Sequence, residues 1–382
     1  MPLLTRRQFL KGVAGGACAI ALSRIPLEPI WDLFGEEKAF AGVPELSQVE
    51  AKYYQRLPHQ EVECQLCPRR CRVGDLERGY CGVRENRGGI YYTLVHSRPA
   101  ALNIDPIEKK PFFHFLPSTM AFSLGTAGCN LQCKFCQNWE ISQVRPEQID
   151  HFDLPPEAAA AKAKDAGCAS IAYTYTEPIV FFESMFDTAV RARHRGVKSV
   201  VVTGGHINPE PLADLLAVVD AVKIDLKGFT QEFYKEYVRG ELQPVLDAIR
   251  AVARSKVWLE IVYLVIPTLN DRLDLIREMA RWVRNEAGDH VPVHFSRFMP
   301  MYLVKNLPPT PVSTLEAARE TALAEGLRFV YVGNVPGHKG ETTFCPGCGQ
   351  AAVRRVGYRV EAVRLKGGRC DKCGTSIPGI WA

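Results

Sequence analysis

From residue 120 onward, short apolar segments alternate with longer amphipathic ones, and this regularity limits the chain to a few architectures. The predicted strands are MAFSLGT, ASIAYTY, KSVVVTG, DAVKIDL, VWLEIVYLVI, PVHFSRF and LRFVYVG. The predicted helices between them include PEAAAAKAKDAG, IVFFESMFDTAVRARHRG, PEPLADLLAVV, LQPVLDAIRAVARS and DLIREMARWVRNE. Apolar strands joined by such helices predict an α/β fold with a parallel sheet, either doubly wound or an open barrel. Both architectures bind ligands at the carboxyl ends of the strands.

Three closely spaced cysteines follow the first predicted strand in the loop GTAGCNLQCKFCQNW, and we call Cys129, Cys133 and Cys136 the cysteine trio. Their C-x3-C-x2-C spacing offers three thiolates, whereas structural zinc and electron-transfer [4Fe–4S] clusters take four protein ligands. The trio would therefore leave one iron of a four-iron cluster open to a further ligand. A partial zinc site or a buried structural trio is the alternative interpretation.

The trio, with aromatic Phe135 directly before its last cysteine, resembles the motif of the radical S-adenosylmethionine (radical SAM) enzymes. The resemblance implies a [4Fe–4S] cluster on the trio, S-adenosylmethionine on the open iron, and Phe135 beside the cofactor. It also implies a low-potential electron donor, flavodoxin or ferredoxin, as a partner. In such enzymes one electron breaks the C5′–S bond of S-adenosylmethionine, and the 5′-deoxyadenosyl radical takes a hydrogen from the substrate.

The second and third predicted strands end in further candidate residues. Glu177 follows the second strand, where radical SAM enzymes often place an acidic residue that binds the amino group of the methionine moiety. A favourable position at a helix N-terminus is the alternative explanation for Glu177. Gly204 and Gly205 follow the third strand, where glycine would let the backbone approach a ligand closely. A plain left-handed turn explains the two glycines equally well.

The fourth and sixth predicted strands carry charged candidates. Asp225 and Lys227 share one face of the fourth strand by alternation, which predicts an opposite-charge pair at a ligand site or an internal salt bridge. On the sixth strand, His294 and Arg297 lie on opposite faces, so both are not expected to face the ligand. His294 is the candidate of the two.

Several longer motifs make the resemblance more specific: ENRGG, DPIEKKPFFHFLP, GTAGCNLQCKFCQNWEISQ, AYTYTEP, IDLKGF, VIPTLND and VYVGNVPGH. Over roughly residues 60–350 they resemble the radical SAM enzymes of the AmmeMemoRadiSam system, relatives of pyruvate formate-lyase activating enzymes. This resemblance implies a radical SAM (β/α)6 partial TIM barrel, with Asp225, Lys227 and His294 holding the co-substrate. It also implies MEMO-type and AMMECR-type proteins as partners, without naming a substrate. Val202 stands where activating enzymes have a cation-binding Asp, so that cation site is not expected.

A second cysteine set lies in a predicted N-terminal module, residues 42–119. The N-terminal four-cysteine set is Cys64, Cys67, Cys71 and Cys81, spaced C-x2-C-x3-C-x9-C in a turn-rich stretch. Four thiolates in such a setting predict a metal site. The spacing does not decide between zinc and a second iron–sulfur cluster.

A third set lies in the tail, residues 341–382, after the predicted core barrel at 120–340. The tail cysteines are Cys345, Cys348, Cys370 and Cys373, spaced C-x2-C-x21-C-x2-C. This spacing predicts a zinc ribbon, in which two turns close on one tetrahedral ion and the metal holds a small unit together. An auxiliary cluster is the alternative.

Residues 1–41 resemble a twin-arginine export signal. TRRQFLK at residues 5–11 precedes a short apolar stretch, and Ala39–Phe40–Ala41 is a candidate cleavage site. An ordinary basic amphipathic N-terminus is the alternative, and Cys18 is not expected to be lipidated. The signal favours export after cytosolic folding, whereas use of S-adenosylmethionine favours the cytoplasm. No transmembrane span is expected in the mature chain.

Composition narrows the function classes further. With 47 basic against 42 acidic residues, the net charge of +5 gives no electrostatic case for a nucleic-acid-binding protein. The 13 cysteines fall mostly in C-x2-C sets, which favour metal sites over disulfides. Three hypotheses result: a radical SAM enzyme with an unidentified substrate, a glycyl-radical-enzyme activase, and a non-catalytic iron–sulfur and zinc scaffold or electron carrier.

Overall fold

The computed structural model describes residues 46–382. The predicted signal at residues 1–41 and Cys18 lie outside this range and stay predictions. Short strands come first: β1 (Val49–Glu50), β2 (Tyr54–Arg56), β3 (Val62–Cys64), β4 (Arg72–Val73), β5 (Arg84–Arg87) and β6 (Ile90–Thr93). They form two small antiparallel sheets, in the orders β1-β6-β5 and β2-β3-β4.

The central sheet contains β7 (Ala101–Pro106), β8 (Met120–Gly125), β9 (Ser170–Tyr173), β10 (Lys198–Thr203), β11 (Ala221–Asp225), β12 (Trp258–Val265), β13 (Val293–Arg297) and β14 (Val330–Gly333). Strands β8 to β14 are parallel and correspond to the predicted strands. β7 pairs with β8 in antiparallel orientation. The sheet is therefore mixed: the predicted parallel arrangement holds for β8 to β14, and the antiparallel strand β7 lies at one edge.

The order of the strands argues against a doubly wound sheet. A doubly wound sheet requires a point at which the strand order reverses. Strands β8 to β14 lie side by side in chain order without a reversal. Because crossovers between parallel strands are right-handed, this order places the connecting helices on one face of the sheet. The carboxyl ends of the parallel strands form one continuous edge.

The longer helices between the strands are α2 (Pro156–Asp165), α3 (Phe182–His194), α4 (Pro209–Val218), α6 (Leu242–Ala253), α7 (Leu273–Glu286) and α8 (Val312–Ala324); α1 (Trp139–Ser142) and α5 (Gln231–Phe233) are single turns. In α7 the buried residues Ile276, Met279, Ala280 and Val283 recur at helical spacing, so one face packs inward. Within residues 46–382, none of the helices combines the length and the hydrophobicity that a membrane span requires.

The segment between β7 and β8 packs into the core beside the sheet. It contributes Ile107, Phe112, Phe115 and Leu116 to a buried cluster with Ala121, Ala172, Val200 and Ala221 from four strands. Burial of the large apolar side chains anchors this segment. The anchoring matters for function because the same segment also carries Lys109, Lys110 and Phe113, which line the cavity at the other end of the strands.

The tail contains β15 (Thr343–Phe344), β16 (Ala351–Val356), β17 (Arg359–Val363), β18 (Leu365–Lys366) and β19 (Arg369–Cys370). It packs against the core through a cluster of Phe113, Phe329, Tyr331, Cys345, Ala352, Cys370 and Ile377. The guanidinium of Arg355 is buried and donates to the backbone oxygen of Phe113 at 2.6 Å and to Thr343 Oγ1 at 2.9 Å. The tail is thus fastened to the segment that lines the cavity.

Candidate active site and metal centres

A cavity of about 490 Å³ opens at the carboxyl ends of the central strands. The predicted site residues that line it are Cys129, Cys133, Phe135, Cys136, Glu177, Gly204, Asp225, Lys227 and His294. Residues far apart in the chain meet here because parallel strands end at the same edge of a sheet. Gly205 was also predicted to contact the cofactor, but it is not among the residues that line the cavity.

Backbone contacts hold the loop that carries the cysteine trio. Gln132 N donates to Val238 O at 3.1 Å, and Lys134 N donates to Tyr237 O at 2.8 Å. Gly128 has φ +86°, and a Cβ atom at this position would lie 2.6 Å from a backbone oxygen of the N-terminal module. Glycine is therefore required where the loop passes the module.

The sulfur atoms of the trio differ in their arrangement from those of the tail cysteines. Cys133 is buried, and burial raises the pKa of its thiol to about 12. Burial likewise raises the pKa of Cys129 well above its ordinary value, so metal binding must displace protons from these thiols. The three sulfurs of the trio do not all lie within 4.8 Å of one another, whereas the four sulfurs of the tail cysteines do. Wider spacing fits thiolates that bind different irons of one cluster.

Glu177 is fixed at the start of a helical turn, Pro178–Phe181. Its Oε1 accepts hydrogen bonds from Thr203 Oγ1 at 2.6 Å and from Ile179 N at 3.2 Å, while Oε2 accepts one from Gly204 N at 2.8 Å. Burial raises the pKa of Glu177, although these hydrogen bonds oppose the shift. A carboxylate oxygen can accept two hydrogen bonds, so Oε2 can take one more donor from a ligand in the cavity.

The two glycines after β10 differ in their surroundings. Gly204 lines the cavity, where a Cβ atom would lie 2.9 Å from Leu131 Cδ1 and 3.2 Å from Glu177 Oε2. Gly205 has φ +71°, and a Cβ atom there would lie 3.0 Å from Ile224 Cγ2 in the core. Gly204 thus allows close approach to a ligand, whereas Gly205 makes a left-handed turn, the alternative considered from the sequence.

Asp225 lies between two lysines on one face of β11. Lys227 Nζ lies 3.3 Å from Asp225 Oδ2, and Lys223 Nζ hydrogen-bonds Oδ1. Burial opposes ionisation of Asp225, but both ammonium groups outweigh it and lower the pKa of the carboxyl. Burial would lower the pKa of Lys227, but Asp225 and Cys133 outweigh it and raise that pKa. Lys223 was not predicted as a site residue, although its place two residues before Asp225 puts it on the same face.

His294 pairs with the carboxylate of Glu260, which was not predicted as a site residue. Its Nε2 lies 2.7 Å from Glu260 Oε2, and both side chains are at most 1% exposed. Burial lowers the pKa of His294 although Glu260 opposes the shift, so we assign a neutral ring that donates from Nε2. Its Nδ1 has no partner among the described residues and can accept from a ligand. Arg297 instead donates to Thr310 O, as the alternation predicted.

Glu260 could have been found from its position in the sequence. It is a lone acidic residue in the apolar strand VWLEIVYLVI, and a charge in such a setting requires buried partners. Besides His294, its carboxylate accepts from the backbone nitrogens of Phe113 and His114 and from Trp258 Nε1. Glu260 therefore joins β12 and β13 to the segment that lines the cavity.

A second charged cluster joins the end of β7 to residues that line the cavity. Asp105 accepts hydrogen bonds from Lys109 Nζ at 2.7 Å, Lys110 Nζ at 2.6 Å and Tyr175 OH at 2.7 Å. Although burial opposes ionisation of Asp105, these partners hold its pKa at about 2. Burial lowers the pKa of Lys110 to about 8. The buried Oε2 of Glu108, which also lines the cavity, has no hydrogen-bond partner among residues 46–382. None of these residues was predicted as a site residue.

The tail cysteines form a set with the dimensions of a mononuclear metal site. The sulfurs of Cys345, Cys348, Cys370 and Cys373 all lie within 4.8 Å of one another. The Cys345–Cys373 and Cys348–Cys370 sulfur distances are 3.5 and 3.7 Å. Tetrahedral zinc with Zn–S bonds of about 2.3 Å would hold its sulfurs about 3.8 Å apart. A glycine with φ near +71° or +75° follows each C-x2-C turn.

The N-terminal four-cysteine set has a different arrangement. Cys64, Cys67, Cys71 and Cys81 all line one small cavity, as expected if they share a metal centre. Within the described residues, however, no three of their sulfurs lie within 4.8 Å of one another, as the sulfurs of the tail cysteines do. The four thiols therefore converge on one space without the close sulfur contacts of a single tetrahedral ion.

Comparison with known protein families identifies the central part of the chain. A sequence model of the Radical SAM superfamily matches residues 123–282. This match begins within β8, ends within α7, and includes the trio, Glu177, Asp225 and Lys227. His294, the N-terminal four-cysteine set and the tail lie outside it.

Two relatives extend the comparison. An uncharacterized protein of Methanocaldococcus jannaschii, MJ0808, is 44% identical over 330 residues, which are 86% of this chain and 98% of the relative. The pyruvate formate-lyase-activating enzyme of Clostridium pasteurianum is 22% identical over 175 residues, which are 44% of this chain and 72% of that enzyme.

Among solved structures, a radical SAM methyltransferase from Sphaerobacter thermophilus has a TM-score of 0.45 at 19% identity, covering 59% of this chain and 71% of its own. A domain of a pyruvate-formate lyase-activating enzyme from Bacteroides vulgatus has a TM-score of 0.39 at 15% identity, covering 44% of this chain and 99% of its own.

Proposed function

This chain is a radical SAM enzyme of the family that includes MJ0808 of Methanocaldococcus jannaschii, and from that premise we propose that it reductively cleaves S-adenosylmethionine at a [4Fe–4S] cluster. The supporting observation is that the cysteine trio, one ligand short of a closed cluster, shares a cavity with Glu177, Asp225 and Lys227. The trio would hold the cluster, and the three charged side chains would face the amino-acid part of the co-substrate.

When bound, the cluster and S-adenosylmethionine supply the chemistry that generates a 5′-deoxyadenosyl radical. The protein's residues orient the co-substrate and exclude water. Oε2 of Glu177 keeps one acceptor position for an ammonium group, and Gly204 lets the ligand come close. The ammonium of Lys227 lies near Cys133 and offsets thiolate charge, and it is held in place by Asp225. Buried Phe135 closes the wall beside the trio.

The non-catalytic scaffold, the third hypothesis drawn from the sequence, is not supported because the chain is an enzyme of this superfamily. We propose that the core at residues 120–340 forms a six-unit partial barrel. Its support is the unreversed order of β8 to β14, which gives all crossovers the same direction.

The reaction is tested anaerobically with the reconstituted full chain, dithionite and S-adenosylmethionine, by measuring 5′-deoxyadenosine. Wild type should form the product, and Cys133→Ala should not. Cys168→Ser is the matched control, because Cys168 is a buried cysteine outside all three sets and should leave product formation intact. Absence of product from wild type with an intact, reducible cluster would contradict the proposal.

The substrate is expected to bind at the part of the cavity built outside the superfamily match. Glu108, Lys109 and Lys110 precede residue 123, while Asn334 and Tyr358 follow residue 282, and all five line the cavity. Residues outside the shared region are suited to select a substrate particular to this family. Substitution Tyr358→Ala should therefore reduce substrate-dependent turnover more than it reduces the affinity for S-adenosylmethionine.

The motifs that resemble the AmmeMemoRadiSam enzymes suggest which proteins act with this chain. We propose MEMO-type and AMMECR-type proteins as partners, and a flavodoxin or ferredoxin as the low-potential donor that radical SAM enzymes require. The partner proposal is tested by adding each purified candidate to the anaerobic reaction. A candidate that is a substrate or partner should stimulate 5′-deoxyadenosine formation, and a substrate should also change in its own mass or absorbance spectrum. If none of the candidates stimulated the reaction, this part of the proposal would be contradicted.

A second candidate function is activation of a glycyl-radical enzyme. It is favoured by the similarity to the Clostridium pasteurianum activating enzyme. It is weakened by Val202, which stands where activating enzymes have a cation-binding Asp. A carbon-centred glycyl radical seen by electron paramagnetic resonance (EPR) on an added acceptor protein would establish this function.

For the tail we propose a structural zinc ion. Its support is the pair of sulfur distances, 3.5 and 3.7 Å, close to those of a tetrahedral zinc site. Metal analysis of the purified full chain should find about one zinc per chain that Cys348→Ser removes. Iron in place of zinc would favour the auxiliary-cluster alternative.

A further inference from the structure

The N-terminal four-cysteine set lines one small space at the edge of the N-terminal module. Besides the four cysteines, the lining includes Arg84 from β5 and Asn130 from the trio loop. Cys64 and Cys67 are buried, whereas Cys71 and Cys81 are half-buried. Four thiols from a turn-rich module, directed into one space, are the ligand set of a metal centre.

Two polar atoms of the lining residues have no partner within the described chain. Arg84 Nε and Asn130 Oδ1 are buried and make no hydrogen bond. Arg84 is 1% exposed, and its other nitrogens are occupied: Nη2 binds Glu183 at 2.5 and 2.7 Å, and Nη1 donates to Lys52 O. A buried N–H without an acceptor is costly and rare. A sulfide or thiolate of a metal centre in this space would accept it.

The separation of the sulfurs favours an iron–sulfur cluster over zinc. Zinc binds its thiolates to one ion, so they lie about 3.8 Å apart, as the tail cysteines nearly do. In the N-terminal set no three sulfurs come within 4.8 Å of one another. An iron–sulfur cluster distributes four thiolates over several irons and inorganic sulfides, which suits wider spacing.

The N-terminal set lies directly against the loop of the cysteine trio. A Cβ atom on Gly128 would lie 2.6 Å from Cys81 O. Arg69 Nε donates to Asn130 O at 2.5 Å, and Asn130 is bonded directly to Cys129 of the trio. Cys81 and Cys129 also line one further cavity together. A single loop therefore separates the two thiol sets.

From this arrangement we propose that the N-terminal four-cysteine set holds a second iron–sulfur cluster, which passes single electrons to the cluster on the trio. The proposal rests on the proposed function, because its electron acceptor is the cluster that the cysteine trio would hold. The low-potential flavodoxin or ferredoxin loses one electron, and the second cluster gains that electron and transfers it to the trio cluster. No covalent bond forms or breaks in this step, and no proton is transferred.

The first experiment counts iron, acid-labile sulfide and zinc in the anaerobically purified full chain. Cys133→Ala, which removes a ligand of the trio cluster, should retain about two to four irons with matching sulfide on the N-terminal set. The double variant Cys64→Ser/Cys81→Ser should lose about the same number and keep its zinc. Cys71→Ser is a milder variant at a half-buried ligand, and Cys168→Ser is the matched control. Loss of zinc instead of iron in the double variant would overturn the proposal, as would an iron-free Cys133→Ala protein.

The second experiment follows reduction of the clusters by EPR and absorbance, without turnover. In the double variant, reduction of the trio cluster by flavodoxin should slow by about tenfold or more, while reduction by dithionite should stay within about twofold of wild type. The trio cluster is identified by the change that S-adenosylmethionine causes in its EPR signal. If the double variant slowed reduction of the trio cluster equally with flavodoxin and with dithionite, or slowed it with neither, an electron relay would be excluded. A failed proposed function would appear differently, as an unchanged EPR signal on adding S-adenosylmethionine with both metal counts intact.

Discussion

The buried carboxylate of Glu260 accepts hydrogen bonds from four donors at once. Replacing Glu260 therefore tests how much these hydrogen bonds stabilise the fold around the cavity. The carboxylate has no exposed surface. It accepts from Phe113 N, His114 N, Trp258 Nε1 and His294 Nε2 at distances from 2.7 to 3.1 Å. The four donors lie on three separate parts of the chain, which Glu260 joins.

The expected cost follows from the donors that would be left unpaired. Leaving a buried donor unsatisfied costs about 1 to 3 kcal/mol. Glu260→Leu leaves four donors without their acceptor, three of them buried, so the free energy of unfolding should fall by about 4 kcal/mol or more. Glu260→Gln keeps one acceptor oxygen, and His294 can change tautomer to accept from the new amide. The glutamine variant should therefore lose only about 2 kcal/mol.

The assay is urea unfolding of the metal-replete protein under anaerobic conditions, followed by tryptophan fluorescence, to which Trp258 contributes. The control is Glu278→Leu, because Glu278 is exposed on α7 and such substitutions stay within about 0.5 kcal/mol. The expected order of stability is wild type, glutamine, leucine. A leucine variant within about 1 kcal/mol of wild type would refute the reasoning, because it would show that the donors find other partners.

Three further predictions concern the remaining buried charges and the metal. Glu183→Gln should destabilise the chain by about 3 kcal/mol in urea unfolding, since it removes the carboxylate that neutralises buried Arg84. Adding Arg84→Met should recover part of the loss. Chelation of the tail metal should lower the unfolding temperature of wild type but not that of Cys348→Ser, which already lacks the metal; equal shifts would contradict this. For Asp105, burial opposes ionisation but its lysine partners hold the pKa at about 2, below the ordinary 3.8. Its stabilisation, about 2 kcal/mol, is complete above pH 4 and is lost as pH falls towards 2, so the gap to Asp105→Asn should close over that window; a constant gap would exclude this origin.

Much of the fold was predictable because its signals are local. The apolar runs of β8 to β14 and the helical spacing of residues such as Ile276 and Met279 are present in short windows of sequence. Neither depends on which segments become neighbours. The antiparallel pairing of β7 with β8 was not predicted, because it depends on long-range contacts that the sequence of Ala101–Pro106 does not indicate.

The candidate site was predictable where residue type alone indicates chemistry. The cysteine trio and the pair of Asp225 and Lys227 were predicted because their spacing indicates a metal and a shared strand face. Lys223 and Glu260 were missed although each is a lone charge in an apolar strand. Such a charge shows that a buried partner exists but does not identify it.

The sequence by itself determined the strand–helix alternation, the three cysteine sets and the residues at the strand ends, because each depends on spacing along the chain. Only the tertiary structure decided that the trio, Glu177, Asp225 and His294 line one cavity. It also decided which sulfurs lie close enough for one ion, and that the N-terminal set lies against the trio loop. These outcomes depend on contacts between distant segments, whose free energy arises from packing and charge pairing that no local pattern encodes.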